Sequence, residues 1–135
     1  MPSIVRSILI LLLGLFIGGL VNYSLILLSP ILIPPPEGMD PTDIASVREH
    51  FHLIGPRHYI IPFFAHALGT LVGAWVVASF VETNKIQWAM VLGAIFMIGG
   101  VTNLVSMNSP VWFTILDITI AYLPMAWLGY IWRRK

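Results

Sequence analysis

Residues 4–28 read IVRSILILLLGLFIGGLVNYSLILL, an apolar run whose one charge is Arg6. A hydrocarbon core of ~30 Å needs ~20 helical residues, and this stretch exceeds that. Ile8 to Leu13 shows no in-out alternation, and in lipid a single segment satisfies its own backbone only as a helix. The run is longer than the apolar part of a signal peptide, and no small-x-small cleavage site follows, so a retained helix is expected. Three further runs repeat the signal, at about 59–81, 86–107 and 111–132, the last carrying one acid, Asp117. Together they predict an all-α fold: an integral membrane four-helix bundle forming one membrane domain over 1–135.

Composition points the same way. Charged residues are 10 % of the chain, hydrophobic residues 58 %, and mean hydropathy is +0.89. A soluble domain of this length would need far more surface charge. A net charge of +1 gives no concentrated basic surface, so no nucleic-acid partner is expected. Cysteine is absent, which removes disulfides, thiolate metal sites and cysteine nucleophiles.

Four crossings put both termini on one side. Arg6, Lys85, Arg133, Arg134 and Lys135 fall there, against Arg48 and Arg57 on the other side among Glu37, Asp40, Asp43 and Glu49. The positive-inside rule then makes both termini cytoplasmic and the long first loop external. Trp88 and Trp132 would mark the inner interface, Trp112 and Tyr59 the outer one.

The second and third connections are tight: Glu82 to Lys85, and Asn108-Ser109-Pro110, with Ser109 as N-cap and Pro110 at the first helical position. Consecutive helices should therefore pack as antiparallel neighbours. The first loop, 29–58, is longer. Pro34-Pro35-Pro36 is stiff and extended, then Asp40 caps, Pro41 starts, and Ile44, Val47, Phe51 and Ile54 form one apolar stripe. An external helix over about 41–53 is predicted, serving either as a cover over helix ends or as a gate over a site.

A weak repeat joins the first span to the third. Leu13-Gly14 and Ile17-Gly18-Gly19-Leu20-Val21-Asn22 recur as Leu92-Gly93 and Ile98-Gly99-Gly100-Val101-Thr102-Asn103. Two crossings per unit would make it a parallel repeat. Gly14, Gly18, Gly69, Gly73, Gly93 and Gly100 are expected to pack helix on helix, and two of the spacings are G-x-x-x-G.

The polar residues of the spans fall at one depth. At ~1.5 Å per residue, Asn22, His66, Asn103 and Asp117 lie ~6 to ~11 Å below the external helix ends, all on small-residue faces. An isolated carboxylate in hydrocarbon costs several kcal/mol, so Asp117 needs a partner, and His66 fits by depth and chemistry. The two asparagines are placed to hydrogen-bond to both, and Thr70 lies on the same face one turn from His66. Two readings stay open: a satisfied network that fixes helix register, or the floor of an external cavity that binds a small polar ligand or passes protons. His50, His52 and His58 offer no metal-binding spacing and are expected in solvated or headgroup contacts. Pro124 should kink the fourth span, because it cannot bond the Ile120 carbonyl.

Pro34-Pro35-Pro36-Glu37-Gly38-Met39-Asp40, His66-Ala67-Leu68-Gly69-Thr70-Leu71-Val72-Gly73-Ala74 and the stretch from Ala121 to Gly129 resemble a family of small four-span bacterial membrane proteins. The resemblance implies a multi-pass place in the bacterial inner membrane and supplies no mechanism. The chain lacks the embedded glutamate of small multidrug transporters and the Cys-x-x-Cys of quinone-linked thiol oxidoreductases. No cofactor is expected. A solute or proton binding or transport component leads, with the lipid bilayer around it and a homo-oligomer or larger membrane complex as partner. An accessory or structural subunit comes next. An enzyme acting on lipid or quinone headgroups, with His66 as base, comes last because no catalytic nucleophile stands beside the pair.

Overall fold

The computed structural model describes residues 3–135, which are 80 % helix with no strand among them. Helix α1 spans Ser3–Leu32, α2 Ile44–Glu49, α3 Ile60–Phe80, α4 Lys85–Ser106, α5 Val111–Ile120 and α6 Leu123–Arg133. Single 3-10 turns at Phe51–Leu53 and Pro56–Tyr59 lead into α3. Four helical rods are long and apolar enough to cross a membrane: α1, α3 with its leading turn, α4, and α5 with α6. One end of the bundle carries the 33–59 loop and the 107–110 turn. The other carries the termini and the 81–84 turn.

Helix α3 is the centre, packing against α1, α4 and α6, while α1 barely touches α4. Missing side chains make the α1–α3 contact. A Cβ on Gly14 would stand 2.8 Å from the Gly73 carbonyl oxygen, and one on Gly73 would stand 2.8 Å from that of Gly14. Gly18 and Gly69 repeat the reciprocal contact one turn on, at 2.5 and 2.8 Å. Backbone meets backbone, as G-x-x-x-G allows. Gly93 faces Ala126 and Gly100 faces Tyr122, so all six expected packing glycines are buried. Gly129, which meets the Leu71 carbonyl and Ala74, joins them. The half of the bundle towards the termini is filled by Leu11, Ala74, Val77, Ala78, Val81, Ala89, Leu92 and Ala126, with no polar side chain among them.

The sequence repeat does not carry the same packing in both copies. Gly18 is buried and its counterpart Gly99 is open, whereas Gly19 is open and Gly100 is buried.

Four boundaries differ from expectation. First, α1 runs on through Ser29 and Pro30 to Leu32, since a proline in the last turn forfeits one bond where the helix is about to end. Second, the predicted 41–53 helix is a shorter α2 followed by a 3-10 turn. Its N-cap is Asp43, accepting from the Ala45 amide at 3.1 Å, not Asp40. Asp40 instead turns inward on Thr42, taking its amide at 2.8 Å and its hydroxyl at 2.7 Å, which folds Pro41-Thr42 into a turn. Third, of the predicted stripe, Val47 is buried and Phe51 and Ile54 half-buried, but Ile44 is exposed. Fourth, α5 starts at Val111, with Pro110 rather than Ser109 at the cap. Ser109 closes α4: with Asn108 left-handed at φ 50°, the Ser109 and Asn108 amides return to the Leu104 and Val105 carbonyls.

The fourth span breaks where Pro124 predicts. Helix α5 stops at Ile120, Ala121 and Tyr122 form a turn, and α6 begins at Leu123.

Candidate functional site

The break in the fourth span builds the site. Asp117 lies one turn before it and Tyr122 within it, so the tyrosine folds back and its hydroxyl donates to Asp117 Oδ2 at 2.8 Å. From α3, His66 Nδ1 reaches the same carboxyl, at 3.0 Å from Oδ1 and 2.9 Å from Oδ2. The His66 and Tyr122 rings lie stacked, 5.8 Å between centroids. Asp117 is fully sealed and the His66 side chain only 9 % exposed. With a hydroxyl and a ring N–H both donating, the carboxylate has partners for its charge inside the bundle.

Nδ1–H being committed to Asp117, the other ring nitrogen is the reactive one. His66 Nε2 has no protein partner, and His66 lines a cavity of about 190 Å³. Asn22, Thr70, Phe96, Gly99, Asn103 and Tyr122 line it too. That volume holds about six waters. Asn22 Oδ1 is buried with no hydrogen-bond partner. A ring nitrogen without a protein partner thus belongs to a residue that borders one small space, with a buried carboxyl behind it and a partnerless amide oxygen sealed beside it.

The predicted residues separate accordingly. His66 and Asp117 form the expected pair. Asn22 and Asn103 bond to neither, correcting the expected network; they line the cavity instead. Thr70 turns its hydroxyl onto the His66 carbonyl at 2.8 Å, so it bonds its own helix while lining the cavity. Asp117 lies behind His66 and does not reach the cavity wall. Sequence reasoning missed Tyr122. Its one signal was position, five residues after an embedded acid and two before an embedded proline.

Towards the loop, His66 and Asn103 also border a larger chamber of about 620 Å³. Val47, Phe51, Ile54 and His58 line it from the loop. The loop is tied down there: His58 Nδ1 accepts from the Gly55 amide at 2.9 Å, which leaves Nε2–H to donate to the Pro34 carbonyl at 3.2 Å. Arg48 reaches the Ser106 carbonyl at the end of α4. His50 Nδ1 lies 2.9 Å from the Ser46 carbonyl oxygen. Towards the termini lies the apolar cluster of Leu11, Ala74, Val77, Ala78, Val81, Ala89, Leu92 and Ala126, and none of these residues lines the small cavity.

Comparison of the chain with protein-family models, with curated proteins and with solved structures finds no match.

Proposed function

We propose that the chain crosses a bacterial inner membrane four times with both termini cytoplasmic, and that it binds a small polar group at a proton-exchanging site reached from the external side. The carrying observation is the placement of His66: Nδ1 on sealed Asp117, Nε2 free, and the residue at a cavity that Asn22 also lines. A histidine held this way keeps one tautomer and offers its other nitrogen to an incoming proton or O–H group, and the carboxylate behind it steadies the imidazolium that results. The apolar cluster on the termini side favours binding and proton exchange from one side over a through path. The charge distribution supports the orientation, and four helical rods long and apolar enough to span a bilayer support the membrane setting.

A second reading shares the same geometry. A base oriented by a carboxylate is half of a catalytic arrangement, and a substrate that brings its own electrophile to Nε2 would complete it.

The test is reaction with diethyl pyrocarbonate, which acylates an unprotonated, reachable imidazole nitrogen. In phosphatidylcholine nanodiscs His66 should be modified, with exposed His52 as internal standard. Asp117→Asn should change the His66 rate and leave His52 alone. A His66 that stays unmodified while His52 reacts fully would overturn the reading.

A further inference from the structure

The larger chamber has apolar walls and a polar floor. Tyr23 and Ile26 of α1, Phe51 and Ile54 beneath the loop, and Phe113 of α5 enclose it, while His66 and Asn103 form its base. Two residues that line these spaces each hold a polar atom sealed in the wall with no partner: Asn22 Oδ1 at the base and the Tyr59 hydroxyl to the side. Asn22 Oδ1 and His66 Nε2 call for donors, and the amide nitrogens of Asn22 and Asn103 at the same base call for acceptors, a combination that a hydroxyl meets. Water supplies donors to the small cavity but gains little from the apolar chamber above it.

Access is the second observation. Helices α1 and α4 touch only lightly, and the small cavity is lined from both sides of their seam. On the α4 side Gly99 has nothing within 4 Å of where a Cβ would stand, and Asn103 is exposed. In a bilayer that seam opens onto lipid rather than onto water.

We infer that the site takes a hydroxyl-headed amphiphile, an uncharged apolar chain ending in O–H groups, which enters between α1 and α4. The head donates to Asn22 Oδ1 and His66 Nε2, and the chain lies in the chamber. The Tyr59 hydroxyl meets an acceptor near the junction of head and chain, such as an ester oxygen. A head without a chain leaves the chamber unfilled. This inference rests on the reading of His66 as the ligand-facing group.

The experiment is photolabelling with an oleoyl glycerol carrying a diazirine on its chain, in phosphatidylcholine nanodiscs, with labelled peptides mapped by mass spectrometry. Label should fall within 23–33 and 44–54. Unlabelled monoolein should compete roughly ten- to a hundredfold better than methyl oleate, which has the chain without the donors, the size expected for two hydrogen bonds. Glycerol should not compete. Asn22→Leu should reduce the preference for monoolein to the part carried by His66, and Gly99→Leu should slow labelling while the His66–Asp117 pair stays formed. Equal competition by methyl oleate, competition by glycerol, or labelling of the Gly99→Leu variant at the wild-type rate would each overturn the inference. Such a failure with His66 still open to diethyl pyrocarbonate removes the amphiphile alone. A His66 that the reagent never reaches removes the parent reading as well.

Discussion

Gly99 and Gly100 are neighbours in sequence and opposites in structure. A Cβ on Gly100 would fall on the Tyr122 hydroxyl, whereas one on Gly99 would meet nothing. Gly100 is therefore the vacancy that lets Tyr122 reach Asp117. Gly100→Ala should displace the ring and leave a sealed carboxylate short of a donor. The lost bond to a charged acceptor is worth ~1.5–3 kcal/mol, and overpacking adds ~1–3 kcal/mol. Gly99→Ala should be neutral or stabilising by up to ~1 kcal/mol, since alanine is the better helix former. Thermal unfolding of both variants in one detergent measures the contrast. Equal melting temperatures would show that Tyr122 does not fill the space at Gly100. The sequence could name both glycines as a small-residue face, but their sorting depends on a tyrosine two helices away. His66 and Asp117 were legible as a pair because both are expensive in lipid and lie at one depth. Tyr122 was not, because tyrosine is cheap to bury and its reach depends on the break before Pro124.

At the scale of elements, apolar runs of twenty residues or more placed all four rods to within about four residues. The loop was less legible because two aspartates three apart compete to start one short helix. Asp43 takes the cap, and Asp40 closes the turn before it. The Thr42 hydroxyl, then its amide, hold the Asp40 carboxyl below its ordinary value of 3.8. A carboxyl held low in the fold contributes fully above its unfolded value, and the contribution disappears as pH falls through the lower, folded value. The turn should thus survive mild acid and open only in stronger acid. The Thr42 amide proton shift, followed by NMR as pH is lowered, should titrate with a midpoint below 3.8. A midpoint at or above that value would mean the turn is not closed by Asp40. Asp40 is fully exposed, so the effect stays local to the approach to α2 and leaves the long helices unchanged.

The whole molecule is asymmetric end to end, and that asymmetry makes its orientation decisive. Five of the seven basic residues lie at the end with the termini, where Arg6 also pairs with Glu82 across α1 and the α3–α4 turn. The other end holds the chamber, the small cavity and all four histidines, and the apolar core separates the two. On the proposed function, whichever compartment faces the loop supplies the protons that reach His66. The positive-inside rule predicts that this compartment is the external one. Alkaline phosphatase fused after Lys135 in a bacterial host should be inactive, and the same enzyme inserted between Glu37 and Gly38 should be active, because it folds only outside the cytoplasm. The reversed pattern would put the chamber on the cytoplasmic side, and His66 would then exchange protons with the cytosol. Replacing Arg133, Arg134 and Lys135 with glutamine should weaken the preference without abolishing it, since Arg6 and Lys85 remain on that side. Loss of all preference would instead place the whole orienting signal at the C-terminus, leaving the long first helix without the leading part in insertion that its apolar length suggests.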